Sequence, residues 1–517
     1  MKQLVDHRGN PIGTAKQVDA LKQRLYQARR ELVRAKYDAA QTAQGNENHW
    51  ANADHLDPHT ASNPRVRRTL RSRSRYEVLE NNPFLKGIIL TIANDFVGRG
   101  PKLKVIDERL SKARRQIIEQ RFWQWSKRIK LRQILWRMRL AKIVDGETFL
   151  RAIMNRKSTY PIKLDFKLLE AEQISSEYTT GVLQNQKHFE VDGVRFDNAD
   201  NPVSYYVLNY HPGNGANLLF NLLSKSGGGK WIDSNFVIHW FRKDRGWWRG
   251  IPETTPSLPH CAILRRYTLA MVRWAETQAD MTAIIETEGP ANQNPFTDST
   301  GQVIDDDPFD TFPIEPGMMM NLPWGYKMKQ LNGVPLGVQY DEFVGAILRE
   351  ITRPILVPFN LAVGSSKDSN MASAIVDQNV YKGGQESERY HCEEEVLNAI
   401  YRLFWYEAVA TPGYLGDDLL FSDPTFRVDP PFNEWGWDRV GLDHTDPSKV
   451  ANSLKVLHDK KFLTDADIQE GYFNRDVERW RNEIKEDEEF RKQLAPTPEE
   501  GNQDNAEQEE ETADSEE

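Results

Sequence analysis

The amino-acid sequence predicts an α+β protein of several domains, and three observations predict it. Apolar residues recur at helical spacing over Phe84–Val97 and through two further helices within Ser111–Val144. From Gly146 the period changes from 3.6 to 2, so strands are expected over Thr148–Met154, Leu164–Leu169, Phe189–Phe196 and Pro202–Tyr210. Two long helical patterns, 256–289 and 336–356, flank a segment rich in Pro, Gly and Asp. With 517 residues the chain has length for two to four domains, and 39% apolar residues suffices for packed cores.

The N-terminal elements are amphipathic or basic. Gln17–Ala40 reads as a helix with Leu21, Leu25, Ala28 and Leu32 on one side. The polar stretch 41–63 holds His49, His55 and His59 beside Asp54 and Asp57. It is read as a flexible loop and not a metal site, because no rigid element fixes the ligands. Six arginines lie between Arg65 and Arg75. They admit two readings, phosphate neutralisation or a solvated helix face answering Glu77 and Glu80. Asn82-Pro83 opens the Phe84–Val97 helix, Gly98 to Gly100 ends it, and Lys102–Val105 reads as a strand. Between Lys112 and Lys142 there are eleven basic residues and one acid, Glu119. Trp123, Trp125 and Trp136 are interleaved with them, a composition that suits single-stranded nucleic acid, although at helical spacing core positions are favoured.

The middle of the chain begins with a short strand, Phe236 to Ile238, and an Arg/Trp/Gly/Pro turn. Pro256, Ser257 and Pro259 then set up a helix of about 29 residues, roughly 43 Å, stopped by Gly289-Pro290. Apolar residues recur at Ile263, Tyr267, Ala270, Trp274, Met281 and Ile284, while Ala275, Ala279 and Ala283 form a small row that admits a neighbouring helix. Arg265, Arg266, Arg273 and Asp280 keep part of the surface polar, which suits side-by-side packing in an oligomer. Residues 290–334 read as a small β-rich insertion whose acidic loop lacks the EF-hand spacing and glycine. Tyr340–Arg353 returns to helix, with Phe343, Ile347 and Ile351 on one face and Pro354 as the stop. A polar loop around Lys367 precedes a short helical piece, Met371–Asn379, and a longer helix, Glu388–Val409. Toward the C-terminus, Asp446-Pro447 starts a helix, Thr464 with Asp467 resembles a capping box, and Asn474 precedes a helix carrying Trp480 and Ile484.

Composition bounds the function. The net charge of −9 is concentrated at the end: Pro496 to Glu517 holds ten acids and no base, so the first 495 residues carry +1. That tail is expected to be disordered. Two cysteines, Cys261 and Cys392, exclude a disulfide framework or a cysteine zinc site and point to a reducing compartment. The polar start is no signal peptide, and the longest apolar run, Gly87 to Val97, is too short to cross a bilayer. A soluble, intracellularly made protein without membrane contact is therefore expected. Ser226–Lys230 fails as a phosphate loop, since Ser224 stands where the first glycine should be and Trp231 follows the lysine. Nucleophile elbow, paired-histidine and dinucleotide motifs are also missing, so no enzyme, metal or cofactor is expected.

Motifs in order carry a resemblance. They are Asn81-Asn82-Pro83, Val97 to Gly100, Gly146-Glu147, Leu169-Glu170 with Gln173-Ile174, Gly193 to Asp197 with Tyr205-Tyr206, and Val237 to His239 with Arg245. Arg249 to Pro252, Glu315 to Gly317, the Phe343–Pro358 helix and turn, Asn370 to Ala374, and Asp446 to Lys449 follow. Their order and spacing, over roughly Tyr37 to Glu489, resemble the lambda-type family of bacteriophage portal proteins. Ile375 departs from the pattern, standing where the family usually has arginine.

The resemblance implies a ring, commonly of twelve subunits, at one capsid vertex, through which double-stranded DNA is packaged and ejected without sequence readout. The ring would dock the terminase large subunit, the major capsid protein or scaffold, and a head-tail adaptor. It would be assembled in the bacterial host cytoplasm for a phage, prophage or gene-transfer particle. The implied division is a helix and flexible linker (1–63), an α/β wing (64–255), a first stem helix (256–289), a clip (290–335) and a second stem helix (336–356). A tunnel-loop region (357–390), a wing return (391–445), a helical crown (446–495) and the acidic tail (496–517) complete it. Candidate DNA-channel residues are Lys367, Lys382, Arg265, Arg266 and Arg273. The rival from another class is a metal-dependent nuclease, suggested by the arginine run and the many carboxylates.

Overall fold

The computed structural model describes residues 19–27 except 21, and residues 51–494 except 52, 54, 176–188, 214–228, 246–247, 281–283, 288–325, 330–336, 366–369, 416–423, 428, 438–446, 466–467 and 470–476. Expectations for the Ser226–Gly228 tip, for Lys367, His49, Asp54, Asp467 and Asn474, for most of the 290–335 insertion and for the acidic tail lie outside the described residues. Two compact units divide the chain, Met1–Ala61 and Ser62–Glu517. The first shows helix over 19–20 and 22–27 and a single turn, Pro58–Ala61.

In the second unit, local chemistry sets the early elements. Helix α1 (Pro64–Ser74) starts with Pro64 at its first position and Asn63 Oδ1 accepting from Val66 N at 3.1 Å, and it continues into a π turn, Arg75–Asn81. Helix α2 (Pro83–Val97) repeats the device, with Asn82 Oδ1 accepting from Leu85 N at 3.2 Å. After strand β1 (Lys102–Val105) come α3 (Lys112–Arg128) and α4 (Leu131–Asp145), the latter closed by Gly146 in the left-handed region at φ 85°.

Two antiparallel sheets follow. Strands β2 (Glu147–Met154), β3 (Leu164–Leu169) and β8 (Val237–Phe241) form one in the order β3-β2-β8, with Phe149 opposite both Leu169 and His239. Strands β4 (Phe189–Val191), β5 (Val194–Phe196), β6 (Pro202–Leu208) and β7 (Gly229–Asp233) form the other in sequence order. The single strand expected over Phe189–Phe196 is thus a hairpin. Asp192 (φ 42°) and Gly193 (φ 82°) both take positive φ at its tip, the requirement of a two-residue primed turn.

The long helix is shorter than its periodicity predicts. Helix α5 (Leu258–Asp280) has 23 residues, and Ile284–Thr287 is strand β9, paired antiparallel with β10 (Tyr326–Lys329). The reason is the β-branched run Ile284, Ile285, Thr287, which favours an extended ladder. Residues 284–289 of the expected first stem helix therefore are not helical as far as Thr287, and the rod is about 35 Å long. Helix α6 (Gly337–Thr352) packs beside α5, Tyr267 stacking on Tyr340 at 5.8 Å between ring centroids and touching Phe343 at 4.2 Å.

The break expected between Asn379 and Glu388 is also absent. After a short helix α7 (Phe359–Val363), α8 (Met371–Cys392) runs through a π turn, Glu393–Leu397, into α9 (Asn398–Ala410). Gly383 and Gly384 cost about 1 kcal/mol each in helix propensity. Burial of Tyr381, Gln385, Arg389 and Cys392 along the inner face offsets that cost. The tunnel-loop and wing-return boundary at 390/391 accordingly falls inside a helix. Strand β11 (Asn433–Gly436) pairs with β1, and helices α10 (Pro447–Asp459) and α11 (Val477–Leu494) end the described chain.

Three cores result. The largest is aromatic: Phe96, Phe122, Trp125, Trp240, Tyr401, Phe404 and Trp405 join α3 and α4 to the first sheet and α9. A second, aliphatic core unites α2, α4, α5 and α6 through Ile88, Ile92, Leu264 and Leu348. The third lies between the two sheets around Phe149, Ile174, Val194 and Tyr205. Of the three tryptophans expected inside, Trp125 is fully buried, its Nε1 donating to Leu164 O at 3.2 Å, and Trp136 is half-buried. Trp123 is 52% exposed, covered on one face by Lys127. No described helix is long and apolar enough to cross a membrane.

Candidate functional site

The arginine run proves to be neither a phosphate patch nor a solvated face at its most regular positions. Arg67, Arg71 and Arg75 are four residues apart, so α1 and its π turn present them on one side. Arg67 and Arg71 are 1% and 2% exposed. Arg67 pairs with Asp192 at 2.6 Å, Arg71 with Glu147, and Arg75 with Asp145 at 2.6 Å and Glu172 at 2.8 Å. Arg65 and Arg73 are exposed, and Arg68, also exposed, donates to Ser175 Oγ at 2.9 Å.

Glu147, the first residue of β2, is the centre. Arg249, from the loop after β8, donates to Glu147 Oε1 at 2.7 Å and Oε2 at 2.8 Å. It also donates to the Ile174, Ala171 and Asp192 carbonyls. Gly250 N–H and His239 Nε2–H each reach Glu147 Oε2 at 3.0 Å. His239 lies between Phe149 and Phe241, with ring centroids 4.1 and 4.2 Å away. Burial raises the cost of ionising Glu147, but Arg249 and Arg71 outweigh it and hold the carboxyl well below the usual range. Burial pushes His239 down to about 4 against its bond to Glu147, so the imidazole is neutral at pH 7. Burial, with the nearby charge of Arg249, lowers Arg67 to about 10, still protonated.

The backbone allows this only with glycine. A Cβ on Gly250 would stand 2.1 Å from the Gly146 carbonyl oxygen, and one on Gly146 would stand 2.1 Å from the Ile251 carbonyl carbon. Gly146, Glu147, Ile174, Gly193, Tyr205, His239, Arg249 and Gly250, scattered motif residues in the sequence, meet at or beside this one place. Residue spacing shows the arginine period, but it contains nothing that pairs Arg67 with a carboxylate 125 positions away.

A second buried ionic group fixes α8 to α4. Lys142, fully buried, pairs with Glu388 and lies 3.8 Å from Glu253, which Arg139 holds at 2.9 Å. Among the described residues, Glu170, Glu172 and His211 have metal-ligand spacing. The Arg75 guanidinium stands against both carboxylates, at 3.6 and 2.8 Å, and supplies the positive charge a metal would bring.

Among the described residues, the expected DNA contacts differ in their surroundings. Arg265, on α5, pairs with buried Glu77 at 2.9 Å and lies over Tyr76. Arg266 and Arg273 are exposed on α5. Lys382 is half-buried in the middle of α8 and not in a loop.

Four guanidinium groups balanced by four carboxylates, around a glycine-locked corner, tie α1, β2, the β4–β5 hairpin and the loop after β8 into one ionic frame. A family profile described as phage portal protein, lambda family, matches residues 44–378, and the chain belongs to that family. No curated protein matches the chain significantly. Among solved structures it is similar to a chain from the neck of an empty GTA particle computed with C6 symmetry, at 13% identity and TM-score 0.39, over 81% of this chain and 95% of that one. It is also similar to a chain from the virion of a native gene transfer agent particle, at 14% identity and TM-score 0.38, over 78% and 92%. A chain from the neck of a native GTA particle computed with C12 symmetry gives 14% identity and TM-score 0.38, over 83% and 98%.

Proposed function

We propose that copies of this chain assemble as a ring, with twelve as the expected number, at one capsid vertex of a virion, and that double-stranded DNA passes through it during packaging and ejection. The observation that carries this is the family match over 44–378. In support, the paired rods α5 and α6 flank residues 281–336, and the arginine-rich N-terminal region spends three of its charges on internal pairing. The terminase large subunit, the capsid protein or scaffold, and a head-tail adaptor are its partners. Lys382 lines the passage and touches phosphates weakly enough for sliding. The nuclease reading loses part of its support, because Arg67, Arg71 and Arg75 face carboxylates of this chain.

Purified protein viewed by electron microscopy and weighed by light scattering tests the proposal. Twelve copies of a 59.7 kDa chain give about 716 kDa and annular particles. A monomer at high concentration overturns it.

A further inference from the structure

Among the described residues, helices α5 and α8 each present one long face that is exposed. On α8 the face is Val376, Val380, Gly383, Ser387 and Tyr390, spaced 4-3-4-3 and exposed throughout, with Val376 at 63%, Val380 at 53% and Tyr390 at 62%. A Cβ on Gly383 would have no atom within 4 Å. On α5 the face is Arg266, Leu269, Arg273 and Glu276, spaced 3-4-3 and exposed throughout, with Leu269 at 53%. This is the period at which two helices keep contact along a seam.

Charge decides what lies on these faces. The charged residues at exposed described positions of α8 are Asp377 and Glu386, both acidic. Those of α5 are Arg266, Arg273 and Glu276. A pairing of α8 with α8, or α5 with α5, sets like charges together. Only α5 against α8 is complementary. The arginines lie on the α5 face about 10 Å apart, and the two acids, nine residues apart, flank the α8 face on opposite sides, where an arginine side chain reaching past either edge meets one. Both faces are exposed among the described residues, and their charges complement each other, so a second copy of the chain is the occupant that fits them.

We infer that the Arg266/Leu269/Arg273 face of α5 packs on the Val376/Val380/Gly383 face of α8 in the next subunit. The contact joins two different patches, so it is head-to-tail and propagates into a closed ring or an open filament. It deepens the ring reading and rests on it, and it assigns Arg266 and Arg273 to a neighbouring protein surface instead of DNA.

The test uses two full-length variants, Arg266→Glu/Arg273→Glu and Asp377→Arg/Glu386→Arg. Each alone sets like charges across every contact, so each is expected to need at least tenfold more protein to assemble, while its circular dichroism and melting match wild type. Mixed in equal amounts, they restore complementary contacts in alternation, and annular particles return. Gly383→Leu supplies a second arm, with a melting temperature equal to or above wild type but impaired assembly. Wild-type rings with either charge variant assembling normally alone overturn the inference and leave the ring standing, as does a mixture that stays dissociated. A monomeric wild type overturns the ring reading itself. Normal assembly of Arg266→Glu/Arg273→Glu with loss of binding to a duplex DNA probe returns these arginines to the channel.

Discussion

At the residue scale, Glu147 carries the most consequence, because its carboxylate accepts from two buried guanidinium groups, an imidazole and a backbone amide. Glu147→Gln keeps the shape and removes the charge, which leaves Arg71 and Arg249 under-compensated in the interior. Breaking a buried pair in this way costs about 3–5 kcal/mol, and urea unfolding at pH 7 measures it. Arg65→Gln, at an exposed position of the same helix, is expected to change stability by less than about 0.5 kcal/mol. A pH dependence follows from His239. The unfolded histidine titrates near 6.5 and the folded one near 4, so between these values the unfolded chain takes up a proton that the folded chain refuses. His239 therefore takes stability away as pH falls from 6.5 to 4, at up to about 1.4 kcal/mol per pH unit. Glu147, held low in the fold, acts in a lower window: its contribution is present above about 4.5 and is lost as pH falls through the folded value. His239→Gln retains a donor toward Glu147 without titrating. Its urea midpoint is expected to vary less between pH 7 and pH 5 than that of wild type. Equal slopes would remove His239 from this account.

At the scale of elements, two glycine substitutions of the same size should act in opposite directions. Gly250→Ala drives a methyl group into the Gly146 carbonyl and pulls the Gly250 amide off Glu147, so a loss of about 3 kcal/mol or more is expected, in the range of severe backbone and buried-bond defects. Gly87→Ala places its methyl in open space on the exposed side of α2 and gains up to about 1 kcal/mol of helix propensity. Thermal melts of both variants compare them directly. The same contrast explains what was legible in the sequence. Capped, strongly periodic elements such as α2 and α4 were legible because their signals lie within a few residues: Asn82-Pro83 at one start, Gly146 at one end. Where local signals conflict with packing, reading fails. Gly383-Gly384, a weak helix-forming pair, lies between the two expected helical pieces, but buried neighbours carry the helix through. Ile284 fell on the helical period, yet its β-branched neighbours pair with Tyr326–Lys329. Glu147 and Arg249 stood out only as members of separate motifs, since 102 residues separate them and only the β2–β8 register brings them together.

For the whole molecule, α8 links the proposed assembly to the proposed passage. Its Val376–Tyr390 seam faces out, and Tyr381, Gln385 and Arg389 face the aliphatic and ionic interior. Lys382 lies between Gln378 and Glu386 on the helical wheel, about 120° from the centre of the seam, and is half-buried. Charge reversal at this position should therefore separate the two functions. Lys382→Glu is expected to leave the ring mass and outline unchanged while reducing the amount of DNA packaged. Its direction follows from the phosphate backbone, because a glutamate repels each passing phosphate where a lysine attracts it, and the effect shrinks as salt screens both. Lys382→Gln should fall between the two, since it removes attraction without adding repulsion. Packaging assays on all three proteins at low and raised salt give the ordering. Equal packaging by Lys382→Glu takes this residue off the passage, and a failure to assemble moves it to the subunit interface. Removing Pro496 to Glu517 is the companion experiment: a tail with ten acids, no bases and little apolar surface contributes no core, so rings of the shortened chain should match full-length ones in copy number.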